Sequence, residues 1–520
     1  MVNCKMSKLN FQILDCTLRD GGYYTNWDFD KELVKTYLEA LNQLPVDYIE
    51  VGYRSPKLEG YYGEYFYCPD YVLKQLSIWS SKKLVIILNE KDVRPEMVNE
   101  LLAPCLGIIK MVRIALDPQH LLRAKELAMA VKEMGFEVGF NVMYMSKWKA
   151  QTAFIDSLPE VNQVADYFYM VDSYGGVYPE DVSDIYDLVS SKVDVPIGFH
   201  GHNNLELGLI NTLTAISKGS GIVDATITGM GRGAGNLKTE LLLTALNQRF
   251  GLEVDFNALA TVTDAFVELQ KKHEWGTNLP YMVSGANSLP QKDVMDWVGK
   301  RFYSINSIIR ALYHQKNNNQ DEFNFKKFTT DEKFEEVLIV GGGNNVIEHQ
   351  VAILEFIKKR NGICLIHASS RNAALFKGVS DKQYFCLVGN EGLRLEKVFN
   401  DLGDFNGTCV LPPSPRKMGT YVPSKLMQRV YELEGITFSN LLEDTHTALA
   451  LQTSLNLGCS TVYLVGYDGY EGVELSQREI ELFNENEQQF DMFTKGTNLD
   501  LISLTSTKYK NLQKSSVYSF

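Results

Sequence analysis

The chain has 520 residues, of which 45% are hydrophobic and 22% are charged, so it is long enough for two or more globular domains. Its formal net charge of -13 argues against a general nucleic-acid binder, because affinity for a phosphate backbone requires clustered lysine and arginine side chains. No apolar run is long enough for a membrane span, and the N-terminus has no apolar signal segment, so we expect no membrane partner and a cytoplasmic location.

Residues 11 to about 250 alternate short apolar segments with helical patterns, as repeated βα units on a parallel sheet do. The segments with strand composition are FQILDCT, VDYIEVGY, KLVIILN, IIKMVRIAL, FEVGFNVMY, ADYFYMVDS, VPIGFH and GIVDATITG. Eight strands, each followed by a helix, predict an α/β fold of the (β/α)₈ TIM-barrel type, whose functional groups gather at the C-terminal ends of the strands. An open doubly wound sheet is the alternative.

The second half of the chain divides at a polar stretch. Residues 251 to 312 have further helical patterns, and we assign them to a first domain that covers residues 1–312. Residues 313–335 contain almost no aliphatic side chains and predict a linker. Residues 336–520 begin with the strand and glycine turn VLIVGGGNN, and they predict a second, Rossmann-like α/β domain.

The glycine turn of the second domain is followed by a predicted helix, so its backbone amides are able to hold a phosphate. NAD is disfavoured for two reasons. Val346 stands where a third glycine is expected, and the next strand ends in His367 and Ser369, where an adenosine ribose usually meets an acid.

Two histidines end the seventh predicted strand, in the segment GFHGHNN. Side chains at His200 and His202 share one face of a strand, about 6 to 7 Å apart at Cα, so both are able to bind one ion. Asp20, in TLRDGG after the first strand, offers a carboxylate. One carboxylate and two imidazoles at a barrel mouth are typical of a catalytic divalent-metal site. The alternatives are a solvated turn for the histidines and an Asp-Gly-Gly turn around Asp20.

The glycine-rich segment GMGRGAGN, residues 229–236, follows the eighth predicted strand. In a barrel such a loop lets the backbone approach a ligand, and the Asn236 amide oxygen is within reach of the metal. The segment also loosely fits a dinucleotide-binding turn, with Glu253 and Asp255 near the required spacing. That alternative is less favoured, because the eighth strand would then begin a new sheet.

The motifs TLRDG, IEVG, MVRIAL, VDSYGGVYPEDV, GFHGHNNLELGLINTLTAISKG and GMGRGAGN have the order and spacing of the DRE-TIM metallolyase superfamily. Within it, residues 9–290 most resemble 4-hydroxy-2-oxovalerate aldolases and their relatives in surface-polysaccharide gene clusters. The resemblance implies a carbon–carbon lyase that acts on a 4-hydroxy-2-oxo acid through a pyruvate-type enolate. A small 2-oxo acid is therefore the expected substrate, and sugar synthesis for surface polysaccharides is the expected role.

The resemblance also implies residue roles. Asp20, His200 and His202 would bind Mn²⁺ or Mg²⁺, with Asn236 as a nearby or additional ligand. Arg19 would hold the 2-oxo acid and stabilise its enolate. Four residues fall at positions that line the substrate pocket in such enzymes, with strand-end structure as the alternative role: Glu50, Arg113, Asp172 and Ser173.

One position departs from the pattern of these aldolases. They carry a histidine three residues after the motif aspartate as the general base, whereas this chain has Tyr23. A tyrosine with an ordinary pKa near 10 is a poor base at neutral pH. Either Tyr23 or Tyr24 has a lowered pKa, a water molecule on the cation takes the proton, or the reaction differs.

Two other functions remain open for the barrel: an acyl-CoA condensing (Claisen) enzyme of the same superfamily, and a non-catalytic nucleotide- or sugar-binding protein with a degenerate barrel. Residues 444–470 resemble Rossmann-like domains of bacterial glycan-modifying proteins, which implies a nucleotide or nucleotide-sugar ligand. The alternative is a structural domain that mediates oligomerisation, with His349, His367 and His446 packed or solvated. We expect a homo-oligomer and no nucleic-acid partner.

Overall fold

The computed structural model describes residues 11–300, 305–317, 324–360, 362–379, 382–400, 402–403, 405–414, 416, 420–439, 445–470 and 477–519. The chain forms two compact units, Met1–Met295 and Asp296–Phe520. Among the residues in these ranges, no helix is both long and apolar enough to cross a membrane. The seven cysteines in them are buried and form no disulfide.

Eight parallel strands of the first unit close into a barrel in sequence order. They are β1 (Gln12–Asp15), β2 (Tyr48–Tyr53), β3 (Lys83–Asn89), β4 (Ile109–Leu116), β5 (Glu137–Val142), β6 (Tyr167–Asp172), β7 (Ile197–Gly201) and β8 (Ile222–Ala225). β8 pairs with both β7 and β1, and this closes the barrel. The predicted (β/α)₈ barrel is confirmed, whereas the open sheet and a dinucleotide fold that begins at the eighth strand are wrong.

The α-helices of the first unit follow and surround these strands. They are α1 (Thr17–Thr25), α2 (Lys31–Gln43), α3 (Glu64–Tyr67), α4 (Asp70–Trp79), α5 (Val98–Leu102), α6 (Leu121–Glu133), α7 (Thr152–Ser157), α8 (Pro179–Ser190), α9 (Gly208–Lys218), α10 (Thr239–Phe250), α11 (Phe256–His273) and α12 (Leu279–Ala286), and α13 (Gln291–Lys300) runs across residue 295. α2 is typical: Asp30 caps it by accepting the Glu32 and Leu33 amides at 3.0 Å, and its apolar face is buried.

The TLRDGG segment forms the first turns of helix α1, so the predicted Asp-Gly-Gly turn is wrong. Tertiary packing explains the two glycines. A Cβ atom at Gly21 would lie 2.5 Å from the sulfur of Met230, and one at Gly22 would lie 2.1 Å from the Trp27 ring. The glycines therefore let this helix approach the loop after β8, and they bring Asp20 close to the end of β7.

The second unit contains a nine-stranded sheet in which every described pair is parallel. Its strands are β9 (Lys326–Lys327), β10 (Glu336–Val340), β11 (Cys364–His367), β12 (Gln383–Cys386), β13 (Thr408–Leu411), β14 (Val430–Glu432), β15 (Thr461–Val465), β16 (Asp500–Ser503) and β17 (Gln513–Lys514). Its helices are α14 (Ile305–Lys316), α15 (Asn345–Glu348), α16 (Gln350–Lys359), α17 (Glu391–Val398), α18 (His446–Asn456) and α19 (Gln477–Gly496). The predicted second α/β region is confirmed.

The strand order reverses at the centre of this sheet, since β10 lies between β11 and β15. Such a reversal opens a crevice at the carboxyl ends of the strands, where α/β sheets bind ligands. The predicted linker, residues 313–335, overlaps α14 and contains β9, and its residues 318–323 lie outside the described ranges. The predicted domain boundaries at residues 312 and 335 stay a prediction.

A buried histidine in the second unit makes its stability depend on pH. His367 is 1% exposed, its ring stacks on Phe385 at 4.4 Å, and its Nε2 contacts Gln383 Oε1 at 2.8 Å. Burial lowers the pKa of His367 to about 4, against an ordinary value near 6.5. Between these values the unfolded chain binds a proton that the folded unit does not, so stability falls as the pH drops through this window.

We therefore expect the free energy of unfolding of the second unit to fall by up to about 3 kcal/mol between pH 6.5 and pH 4 on account of His367. Calorimetric unfolding of the full chain at a series of pH values measures this. The His367→Phe variant should lose that part of the pH dependence, and His349→Phe is the matched control. If the free energy of unfolding of His367→Phe varied with pH as strongly as that of the wild type, the buried imidazole would not be the source of the pH dependence.

Candidate active site

Three predicted ligands meet at the mouth of the barrel. Ligand atoms of Asp20, His200 and His202 all lie within 4.8 Å of one another, and all three side chains are buried. His200 Nε2 is 3.5 Å from Asp20 Oδ2. His202 follows β7 by one residue and is held by a bridge to Asn236. The fold thus brings Asp20, which follows the first strand, next to His200 and His202 at the end of the seventh strand, about 180 residues later in the sequence.

Hydrogen bonds fix both imidazoles. His200 Nδ1 donates to Asp224 Oδ2 at 2.8 Å, and His202 Nδ1 donates to the backbone carbonyl of Asp172 at 2.8 Å. Because a carbonyl only accepts, Nδ1 of His202 carries the proton and its Nε2 offers a lone pair. Metal-binding histidines are oriented by the same kind of bond at their other nitrogen.

The charge states suit a divalent cation. Burial lowers the pKa of His202 to about 3, so its ring is neutral at physiological pH. Burial alone would raise the pKa of Asp20, but Arg19 and the two histidines hold that pKa well below its usual range. Asn236 donates to Asp20 Oδ2 at 2.6 Å, and its buried Oδ1 has no hydrogen-bond partner in the described part of the chain. An anionic oxygen, two imidazoles and a buried amide oxygen fit a divalent cation.

A second group of potential ligands, Cys16, His200 and Asp224, also lies close together. Burial raises the pKa of the Cys16 thiol well above its ordinary value, and its Sγ donates to the Ala225 carbonyl at 3.6 Å. The Asp224 carboxylate already binds Arg113 at 2.6 Å and His200. This group therefore orients His200 and is not a competing metal site.

Arg19 lies in the first turn of α1 with its guanidinium between two carboxylates. Its Nε donates to Glu50 Oε2 at 2.6 Å, and its Nη1 donates to Asp20 Oδ1. The Trp27 indole fixes the turn by donating to the Arg19 carbonyl at 2.9 Å. Burial works against the charge, but Asp20 and Glu50 raise the pKa of Arg19 above its ordinary value. Arg19 therefore adjoins the triad of Asp20, His200 and His202 as a fixed cation.

Arg113 lies on β4 and is completely buried. It donates to Asp224 at 2.6 Å, to Asn141 at 2.6 Å and to Glu50 at 3.3 Å, and it stacks on Tyr169 at 4.0 Å. These contacts run from Arg19 through Glu50 and Arg113 to Asp224. Because Arg19 binds Asp20 and Asp224 binds His200, they connect Asp20 with His200. Sequence reasoning missed Asp224 and Asn141, although an acid or amide inside an otherwise apolar strand was the available signal.

Asp172 and Ser173 lie at the end of β6 and support the adjoining loops. The Asp172 carboxylate accepts the Gly176 amide at 3.2 Å, and Ser173 Oγ accepts the Tyr144 amide at 2.9 Å. Burial raises the pKa of Asp172 to about 7, although the backbone amides of residues 174–177 oppose that rise. Together with Glu50 and Arg113, both side chains are buried around the triad, and their contact with substrate stays a prediction.

The two tyrosines that follow the motif aspartate differ in environment. Tyr23 is 37% exposed, and its hydroxyl lies 3.4 Å from that of Tyr53. Tyr24 donates to the Gly233 carbonyl at 2.7 Å, and burial raises its pKa well above the ordinary value. The interpretation in which Tyr24 has a lowered pKa is therefore wrong, and Tyr23 is the more exposed residue of the pair.

The crevice of the second unit encloses a cavity of about 690 Å³ at the ends of β10, β11 and β15. Asp468 occupies the glycine turn after β10: its carboxylate accepts the Asn345 amide at 3.0 Å and lies where a Cβ at Gly343 would stand. A phosphate at this turn would meet that carboxylate, so the predicted amide-held phosphate is disfavoured. The cavity also contains the cations Arg371 and Arg394, whose guanidiniums bind Gly342 O and Ser369 Oγ.

Comparison with known proteins bears on the first unit. The HMGL-like family model matches residues 111–266. The 4-hydroxy-2-oxovalerate aldolase of Geobacillus thermodenitrificans is 32% identical over 260 residues, which are 48% of this chain and 72% of the relative. The enzyme of the same name from Pelotomaculum thermopropionicum is 33% identical over 269 residues, 50% of this chain and 76% of the relative.

A crystal structure of the N-terminal domain of a candidate aldolase from Bacteroides vulgatus is also similar. It is 57% identical, with a TM-score of 0.56, and covers 58% of this chain and 100% of that domain. The resemblance indicated by the motifs is thereby confirmed. Through its barrel, the chain belongs to the HMGL-like family of lyase-type enzymes, within the DRE-TIM metallolyase superfamily.

Proposed function

We propose that the barrel is a divalent-metal-dependent aldolase that cleaves a 4-hydroxy-2-oxo acid through a pyruvate-type enolate. The observation that carries the proposal is the buried group of Asp20, His200 and His202 beside the fixed cation of Arg19. Lyase-type relatives support the reaction class. The identity of the 2-oxo acid and a role in surface-polysaccharide sugar synthesis rest on the resemblance alone.

Cleavage breaks the bond between C3 and C4. The C4 hydroxyl loses its proton to a base, C4 becomes an aldehyde carbonyl, and the electron pair of the bond forms the enolate of pyruvate, which then takes a proton at C3. Asp20, His200, His202 and Asn236 would hold Mn²⁺ or Mg²⁺, which would supply Lewis-acid stabilisation of the charge on the 2-oxo acid. Arg19 donates hydrogen bonds to the same developing charge.

The other predicted residues have supporting roles in this proposal. Tyr23, the more exposed of the two tyrosines, is the proposed base. Glu50 and Arg113 hold Arg19 and His200 in position through the buried ion-pair network. Asp172 and Ser173 shape the pocket wall through the loops after β5 and β6. The arrangement therefore predicts that the rate of the proposed reaction depends on a metal ion and on these contacts.

Proton exchange of pyruvate tests the proposal without knowledge of the aldehyde. The full chain is incubated with Mn²⁺ and pyruvate in D₂O, and the methyl proton signal is followed by NMR. We expect the signal to disappear with Mn²⁺ and to persist with a chelator. Absence of exchange with either Mn²⁺ or Mg²⁺ would contradict the aldolase and favour a non-catalytic binding protein. Release of CoA from an acyl-CoA and a 2-oxo acid would identify the condensing enzyme instead.

The second unit is proposed to be a Rossmann-like domain that binds a nucleotide or nucleotide-sugar in its crevice. The cavity volume and Arg371 are the grounds for such a ligand, bound away from the Asp468-filled glycine turn, whereas Arg394 is already paired with Glu391 at 3.0 Å. The proposal also includes assembly into a homo-oligomer, a cytoplasmic location, and a division of the chain into residues 1–312, 313–335 and 336–520. These three points rest on the sequence alone.

A further inference from the structure

A third arginine lies at the barrel mouth, in the glycine-rich loop after β8. Two contacts fix this loop: the Gly233 carbonyl accepts the Tyr24 hydroxyl at 2.7 Å, and the Gly235 carbonyl accepts the Asn203 amide at 2.9 Å. Asn236, at the end of the loop, binds Asp20. Arg232 is therefore held on a short loop whose two sides are attached to the elements that carry the metal triad.

The guanidinium of Arg232 has no anionic partner among the described residues. Its Cζ lies 5.6 Å from the centre of the Tyr23 ring, and its Nε is buried without a hydrogen-bond partner in that part of the chain. Arg19 and Arg113 differ in this respect, because each binds two carboxylates. A partly buried cation loses part of its hydration, and no anion among the described residues compensates Arg232 for this loss. An anionic ligand is therefore favoured at this position.

Aromatic side chains and a second cation lie near Arg232. Tyr144 stacks on Tyr174 at 5.3 Å, and Lys147 donates to the Tyr174 hydroxyl at 3.0 Å. Burial raises the pKa of Tyr144, as does the charge of Asp117, while the charges of Arg232 and Lys147 oppose that rise, so both cations act on this tyrosine. The mouth above the triad thus combines positive charge with tyrosine rings, a surface suited to an anionic, hydroxylated molecule.

We infer that Arg232 binds an anionic group on the aldehyde half of the substrate, a carboxylate or a phosphate beyond C4. This inference rests on the proposed aldolase function and specifies its substrate class. The 2-oxo acid half already has its cation in Arg19, and in the inferred arrangement the aldehyde half lies beside Tyr23 and Arg232, which are close together. Both anions match the planar donor fork of arginine.

Matched pairs of aldehydes test the inference in the direction of synthesis, in which C3 of the pyruvate enolate adds to the aldehyde carbon and the new alkoxide takes a proton. Glyceraldehyde 3-phosphate is compared with glyceraldehyde, and succinic semialdehyde with pentanal. With the wild-type chain and Mn²⁺, we expect kcat/KM to be higher for one or both charged aldehydes than for their neutral partners. Which charged aldehyde is preferred distinguishes phosphate from carboxylate.

In Arg232→Gln, this ratio of charged to neutral kcat/KM should fall about 10- to 100-fold, the effect of losing a charge-assisted hydrogen-bonded pair. Arg232→Lys should retain an intermediate ratio, since it keeps the charge but loses the fork. Lys149→Gln, which removes an exposed lysine paired with Asp184, is the matched control and should leave the ratio unchanged. Because a ratio is measured within each variant, partial loss of folded protein does not affect it.

Two outcomes would overturn the inference. One is a wild-type enzyme that shows no preference for either charged aldehyde. The other is an Arg232→Gln variant with a raised KM for pyruvate and equal losses for charged and neutral aldehydes, which would assign Arg232 to the carboxylate of the 2-oxo acid. Absence of pyruvate exchange in the wild type would instead contradict the proposed function itself, so the two failures are distinguishable.

Discussion

Replacing His202 by glutamine is expected to weaken Mn²⁺ binding to the full chain by at least about 100-fold, because even partners of metal ligands contribute about 10- to 100-fold to affinity. His202 is one of only three side chains in the buried triad, and its Nε2 is already oriented by the bond from Nδ1 to the Asp172 carbonyl. Glutamine has no imidazole nitrogen to offer. Isothermal titration, or the electron paramagnetic resonance signal of free Mn²⁺, measures the affinity directly.

The matched control is His120→Gln. His120 is also a histidine of the barrel unit, but its side chain is 46% exposed and lies 3.8 Å from Glu90, apart from the triad. Its replacement should leave Mn²⁺ affinity within about twofold of the wild type. Equal affinity in His202→Gln and His120→Gln would show that the cation binds elsewhere. Pyruvate exchange should be lost in His202→Gln and retained in the control, so binding and reaction are read independently.

The barrel and its triad were predictable because they depend on local signals. Alternating apolar segments set the eight strands, and a barrel brings every strand end to one mouth, so Asp20, His200 and His202 had to approach one another. The conformation around Asp20 was not predictable in the same way. Gly21 and Gly22 suggest a turn in isolation, but the close approach of Met230 and Trp27 requires glycines within a helix.

Partners distant in sequence account for the other differences. The sequence around Asp224 reads as an ordinary strand, and only the closed barrel shows that its carboxylate joins Arg113 to His200. In the second unit, the glycine turn after β10 has the pattern of a phosphate site. Asp468, more than 120 residues later, fills that turn with its own carboxylate. A motif therefore predicts a backbone conformation more securely than it predicts the ligand.

Replacing Arg19 by lysine should separate metal binding from enolate formation. Arg19 uses Nε for Glu50 and Nη1 for Asp20, and its remaining donors face no carboxylate among the described contacts. A lysine ammonium is a point charge that cannot hold both carboxylates in this planar arrangement and also donate to a substrate. We expect the rate of pyruvate exchange to fall about 10²- to 10³-fold, the usual effect of removing a donor to a developing oxyanion.

Mn²⁺ affinity in Arg19→Lys should change less than about 10-fold, because the three ligands remain and the positive charge next to Asp20 is kept. Arg123→Lys is the matched control, since Arg123 is a half-exposed arginine that pairs with Glu90 away from the triad. An Arg19→Lys variant that exchanges pyruvate at the wild-type rate would mean that Arg19 only holds Asp20 and Glu50 in place. A large loss of exchange with Mn²⁺ affinity preserved would assign the guanidinium to the substrate, because preserved affinity shows that the three ligands are still in place.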